Sequence, residues 1–198
     1  MNVSQSSFDV VVIGAGPSGA VASALLNKKG YRVLVLEKEH FPRFSIGESL
    51  LPQSMEFLAQ AEMLSAVEDA AFQFKNGAAF SCCDKYESFD FREKFSKGIG
   101  TTFQVQRDRF DKILADEAQK QGVDIRYGQM VTAFNYDAGS ERAILSVQDE
   151  DGEVYEVSAK FALDASGFGR VLPRLLSLDQ PSELACRTSL FTHIQDNI

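Results

Sequence analysis

Residues Phe8 to Glu37, FDVVVIGAGPSGAVASALLNKKGYRVLVLE, decide the fold. The run Val10-Val11-Val12-Ile13 is short and β-branched, as a strand buried on both faces should be. Gly14-Ala15-Gly16-Pro17-Ser18-Gly19 follows, then an Ala- and Leu-rich segment of helical character that stops at Gly30. A second apolar run, Tyr31 to Leu36, ends on Glu37, an acid 23 residues after Gly14. Strand, glycine turn, helix, strand and acid in this order are what a dinucleotide site requires. Gly14 permits the tight turn, Gly16 lets a pyrophosphate approach the backbone, and Gly19 allows close helix packing. A helix beginning near Pro17 and Ser18 points its free N–H groups and positive dipole end at phosphates. Pro17 costs little there, because a first-turn N–H has no partner inside the helix. Glu37 can accept hydrogen bonds from ribose hydroxyls. The alternative, an ordinary strand-to-helix turn with Glu37 as surface charge, leaves the register of all five parts unexplained.

The 198 residues give ample length for a core, and 44% hydrophobic with 24% charged residues is ordinary for a soluble globular protein. A net charge of −8 argues against a nucleic-acid surface. No run approaches the ~18 apolar residues of a membrane span. The opening MNVSQSSFDV lacks the basic region and apolar core of a signal peptide. Cys82, Cys83 and Cys186 are odd in number and two are adjacent, which suits neither a disulfide framework nor a zinc site. The expectation is a cytoplasmic protein with reduced thiols, no metal, and Cys82 and Cys83 as strand residues.

After Glu37, the stretch Lys38 to Pro52 contains two prolines and a glycine and reads as a long loop, a common home for function. Met55, Leu58 and Ala61 or Ala59 predict a helix continuing towards Leu64 and Val67. Phe72 to Cys83 reads as a strand interrupted near Asn76-Gly77. Tyr86, Phe89, Phe91 and Phe95 either line a cavity or form the inner face of strands, the latter being favoured. Thr101 to Val105 reads as a strand, and Asp108 to Gly122 as an amphipathic helix with Phe110, Ile113, Leu114 and Ala118 on one stripe. Val123 to Tyr127 follows as a further parallel strand. Val131 to Tyr136, Ala143 to Gln148 and Val154 to Ser158 predict an antiparallel meander laid against the parallel sheet, with a hairpin at Asp151-Gly152. Phe161-Ala162-Leu163 is expected to return as a buried strand ending on Asp164-Ala165-Ser166-Gly167. Leu172 to Ile198 shows no compelling element.

Taken together, these segments resemble the N-terminal half of the FAD-dependent monooxygenase and halogenase superfamily, with its para-hydroxybenzoate-hydroxylase-type FAD fold. The resemblance runs from Phe8 to about Arg170. GAGPSG with Glu37, and Lys38 beside it, resembles the family's ADP-binding fingerprint. Pro42-Arg43 followed by Ile46-Gly47-Glu48-Ser49 looks like the loop that runs under FAD. Val105-x-Arg107-x-x-Phe110-Asp111 is similar to the segment whose arginine contacts the cofactor. Asp164-Ala165-Ser166-Gly167 sits where the family has its second cofactor motif, and Val131 would lie against the adenine. Arg43, Ser49, Arg107, Asp164 and Gly167 are thereby implied as FAD-binding residues. Either arginine taken singly is otherwise a solvated surface residue.

Leu163 to Gly167 and IGESLLP look more like flavin-dependent halogenases and geranylgeranyl-reductase-like proteins than ring hydroxylases. Lys75, in Phe74-Lys75-Asn76-Gly77, resembles the halogenase lysine that activates hypohalous acid; otherwise a strand-end lysine is simply solvated. The family's third cofactor motif, Gly-Asp-Ala, does not follow Gly167, so the chain is expected to be a partial product. The implied fold class is α/β. It comprises a Rossmann-like FAD-binding domain over residues 1–170, with a parallel sheet and a three-stranded meander. Residues 72–105 would begin a substrate sheet only partly present, and 171–198 the truncated remainder. The implied activity is a flavin monooxygenase or halogenase acting on a small organic substrate through a flavin hydroperoxide, fed by an external flavin or NAD(P)H reductant. A geranylgeranyl-reductase-like enzyme and a non-catalytic nucleotide-binding module remain the alternatives.

Overall fold

A computed structural model of the chain describes residues 7–192. The leader-free reading of residues 1–6 and the closing polar run at 193–198 lie outside the described residues. The expected opening unit forms β1 (Ser7–Ile13), α1 (Pro17–Lys28) and β2 (Val33–Leu36). A long amphipathic helix, α4 (Arg107–Lys120), then leads into β7 (Asp124–Arg126), which pairs parallel with β2. The meander is β8 (Met130–Asp137), β9 (Arg142–Gln148) and β10 (Val154–Asp164). All six belong to one sheet, in the order β7-β2-β1-β10-β9-β8.

One strand departs from expectation. The third meander strand and the returning strand are a single element, β10. Its first half pairs antiparallel with β9 and its second half parallel with β1, both ladders sharing Ser158 and Ala159. Nor is the returning part buried: Phe161 is 61% exposed. On the face where Val10, Val12, Val33 and Val35 pack against the helices, β10 contributes Leu163 to the packing while Phe161, beside Val10, stays outside it. On the other face, Val11, Ile13, Leu34 and Leu36 pack with Leu145, Val147 and Val157. The meander is thus laid on the parallel sheet while remaining continuous with it. The alternating burial of β9 is the signature of that one-sided contact.

The helix expected from Met55 to Val67 is two helices, α2 (Pro52–Gln60) and α3 (Leu64–Asp69). Glu62 adopts a left-handed φ of 58°, and Met63 donates back to the Leu58 carbonyl at 2.8 Å, closing α2 as a C-terminal cap. Lys28 pairs with Glu62 from α1. The interrupted strand is β3 (Gln73–Lys75) and β4 (Gly77–Cys82). β3 pairs with β6 (Thr102–Gln104), and β4 with β5 (Lys85–Asp90), as separate two-stranded sheets. Of the four rings named from sequence, Tyr86, Phe89 and Phe95 form neither an inner face nor a cavity lining, whereas Phe91 is half-buried beneath Lys75. Phe80, Tyr86, Phe89 and Phe95 are all more than half exposed. A short helix, α5 (Val171–Leu175), appears where no element was expected. Among the described residues no helix is long and apolar enough to cross a membrane.

The turn after β1 is held by close approach. Gly14 has φ +97°, and a Cβ there would lie 2.8 Å from the Ala165 carbonyl oxygen. A Cβ on Gly19 would lie 1.9 Å from the Gly14 oxygen and 3.3 Å from Ala165 Cβ. Ala165 N also donates to the Ile13 carbonyl at 2.9 Å. Gly19→Ala is therefore expected to lose more than about 3 kcal/mol of stability, since backbone must move. Gly30→Ala, where the space is open, should lose only about 1–2 kcal/mol for its left-handed φ. Urea unfolding of the two variants checks the contrast.

Candidate functional site

A cavity of about 770 Å³ opens at the carboxyl ends of β1 and β2. This is where open α/β sheets bind ligands. Its floor is Gly14, Gly16, Pro17 and Ser18; Glu37, Lys38 and Arg43 form one side, with Arg107 beyond. Val131 on β8 and the Ala165–Gly169 loop close the other side, together with α5. Ten of the residues singled out from sequence therefore meet here: Gly14, Gly16, Pro17, Ser18, Glu37, Lys38, Arg43, Arg107, Val131 and Gly167. Gly19, Ser49, Asp164 and Lys75 do not line the cavity.

Glu37 is 3% exposed and serves as a brace. Its Oε2 accepts the Ala15 N–H at 2.8 Å and its Oε1 the Glu39 N–H at 3.0 Å. Its backbone is pinned to the next strand and loop through Arg126 O and Gln129 N, both at 2.9 Å. Each carboxylate oxygen keeps a lone pair for a further donor. The start of α1 is uncapped by any side chain and has no acid in its first turn, which leaves its first N–H groups free for a ligand.

The two arginines, alike in sequence, differ in the structure. Arg107 is committed: Nε and Nη2 bind Asp111 Oδ1 and Oδ2 at 2.7 and 3.0 Å, and Nη1 reaches Ile46 O at 2.6 Å. Asp111 is completely buried, so this bidentate pair is a strut from α4 to the Lys38–Pro52 loop. Arg43 instead sits 3.6–3.7 Å from Glu37, Glu39 and Asp111, beyond hydrogen-bond reach. Its Nε is buried without a hydrogen-bond partner among the described residues. A cationic fork with donors unspent, beside an uncapped helix end, suits a diphosphate.

Of the residues away from the cavity, Asp164 is spent on backbone. It accepts Ser166 N at 2.9 Å and Leu172 N at 2.8 Å, shaping the loop and seating α5. Ser49 accepts from Lys75 Nζ at 2.5 Å, and Lys75 also donates to Leu50 O at 3.0 Å. The lysine lies 5.1 Å over the Phe91 ring. It is therefore held in place by named partners. Asp111 and α5 escaped assignment from sequence. An acid four residues after Arg107, beside the buried Phe110 and Leu114, is the signal that would have found the first; α5 is too short to show a period.

A glycine turn under a helix end, an acid on the second strand and a ligand-sized cavity between them define a dinucleotide-binding domain of Rossmann type. The model of the family described as FAD binding domain matches residues 7–190. A tryptophan 2-halogenase from Chondromyces crocatus is 35% identical over 82% of this chain and 30% of its own length. A 1H-pyrrole-2-carbonyl peptidyl-carrier-protein brominase from Pseudoalteromonas luteoviolacea is 33% identical, over 85% of this chain and 39% of its own. The crystal structure of a flavoprotein/dehydrogenase from Cytophaga hutchinsonii superposes with a TM-score of 0.85 at 47% identity, covering 89% of this chain and 44% of that one. The chain belongs to the FAD-binding-domain family, within the superfamily of flavin-dependent monooxygenases and halogenases. It spans less than half the length of these relatives.

Arg107→Met would leave Asp111 buried and unpaired, and should cost about 3–5 kcal/mol. Arg43→Met, which breaks no hydrogen bond, should cost clearly less; denaturant unfolding of both ranks them. Beside the site, Tyr127 packs edge-on to Phe41. Burial, followed by the Asp116 and Glu37 charges, pushes its phenol up to about 12. The folded value lies above the ordinary one of about 10. Stability from this neutral phenol is thus intact below about pH 10 and lost as pH rises towards 12. Tyr127→Phe should flatten the alkaline fall of urea midpoints.

Proposed function

We propose that this chain supplies the FAD-binding part of an oxidoreductase of the monooxygenase or halogenase type, acting on a small organic substrate. The observation that carries the reading is Arg43, which lines the cavity between the Gly14–Ser18 turn and Glu37 and whose buried Nε has no hydrogen-bond partner among the described residues. In this reading Arg43 and the start of α1 hold the diphosphate, and Glu37 accepts from the ribose hydroxyls, with Lys38 at the rim. Gly14 and Gly16 keep the floor free of side chains, and Val131 and Gly167 lie against the adenosine half. Gly19, Ser49, Asp164 and Arg107 act through backbone and loop geometry. Bound FAD would supply the redox chemistry, taking electrons from an external flavin or NAD(P)H reductant and passing them to oxygen. Residues 1–170 are assigned to the FAD-binding domain, 72–105 to the start of a substrate-facing sheet, and 171–198 to the remainder. The reading places the protein in the cytoplasm.

Lys75 is the candidate catalytic residue, as an ammonium that would bind hypohalous acid. Ser49 and the Leu50 carbonyl hold its amine at the base of the β4–β5 hairpin. Its bonds link it to the same loop that carries Arg43.

The direct test is FAD and ADP binding by the purified chain, followed by fluorescence and calorimetry. Native protein should bind both. Arg43→Ala should weaken ADP about 10- to 100-fold, the worth of one charge-assisted bond, and leave adenosine nearly unaffected. Equal losses for ADP and adenosine would refute the diphosphate role. In a chain carrying the complete active site, Lys75→Met should abolish halide-dependent product while sparing FAD binding and reoxidation by oxygen. Unchanged halogenation would refute the lysine role.

A further inference from the structure

Cys82 and Cys83 stand apart from the cavity, on the tip of the β4–β5 hairpin. Cys82 pairs with Lys85, so Cys83 and Asp84 form the whole turn. Both thiols are free and exposed, and their sulfurs lie 3.7 Å apart. Cys83 has a φ of +56°. In a two-residue hairpin this position favours glycine. A side chain held in a left-handed turn is a local cost that directs attention to the chemistry of that side chain. Cys83 is thus a turn residue, where sequence suggested a strand.

We propose that Cys82 and Cys83 form a vicinal dithiol that oxidants of the peroxide class close reversibly to a disulfide. One thiol, as thiolate, attacks a peroxide oxygen; the O–O bond breaks, and a sulfenic acid and water result. The second thiol attacks the sulfenic sulfur, the S–S bond forms and water leaves. In sum, two thiols and one hydrogen peroxide give one disulfide and two waters, with two electrons passing from sulfur to peroxide oxygen. Closure brings the sulfurs to about 2 Å. The movement falls on a turn, where only the Cys82–Lys85 pair adjoins it. Adjacent Cα atoms are about 3.8 Å apart, shorter than disulfides ordinarily span, so a thiol reductant reopens the ring readily.

The test treats the native chain with hydrogen peroxide and follows free thiols and peptide masses. Thiols are expected to fall from three to one, with the Cys82–Cys83 peptide two hydrogens lighter and restored by dithiothreitol. Before oxidation, phenylarsine oxide should bind at one equivalent per chain and protect both sulfurs. Cys186→Ser should retain that binding, whereas Cys82→Ser and Cys83→Ser should each weaken it at least tenfold. Linkage to Cys186, linkage between chains, or separate over-oxidation of the two cysteines overturns the proposal. So does arsenical binding that survives either serine substitution at the tip.

Discussion

Gly14 brings the turn after β1 against the Ala165 backbone, and Gly19 brings α1 against the Gly14 carbonyl, at distances that admit no Cβ on either glycine. The rest of the site depends on this approach. It docks α1 onto the end of the sheet, and it locks the glycine turn to the loop that follows β10 through Ala165 N and Ile13 O. The two motifs lie some 150 residues apart in sequence, yet they form one piece of backbone. Glu37 then braces the same turn through Ala15 N. The floor of the cavity is thereby preorganised, so less ordering remains to oppose ligand binding.

Around that floor, charge is distributed unequally. Asp111 lies fully buried and takes both of its strong bonds from Arg107. A buried pair of this kind contributes little net stability, but breaking it is costly. Its value here is geometric: it ties α4 to the loop from Lys38 to Pro52. Arg43, on that loop, is close to three carboxylates and hydrogen-bonded to none. One guanidinium is structural and the other is available.

Much of this was legible in the sequence because the signals are local. The glycine spacing, the β-branched runs and the acid after β2 specify one supersecondary unit, and β1, α1 and β2 form there. The stripe on α4 and the Asp151-Gly152 hairpin were equally plain. What was not legible depends on partners distant in sequence. Nothing near Phe161 says that it will stay exposed while Leu163, two residues on, packs against the core. Nothing near Arg43 or Arg107 says which will be spent on a buried carboxylate. Glu62 takes a left-handed conformation with Lys28 of another helix as its partner, so α2 ends inside an unbroken apolar period. Phe80 and Phe89 share one face of their hairpin, as an inner face would, yet they stack on each other and stay more than half exposed.

The continuity of β10 has a mechanical consequence. Its first residues are set by the ladder to β9, and its last residues deliver Ala165 to the glycine turn. A slip of one residue in the meander would move that end by about 3.3 Å and turn every side chain to the opposite face. The Asp149 carboxylate, which accepts the N–H groups of Asp151 and Glu153, sets the length of the turn before β10. That turn acts as a gauge, metering from the opposite end of β10 how closely two backbones meet beneath the cofactor cavity.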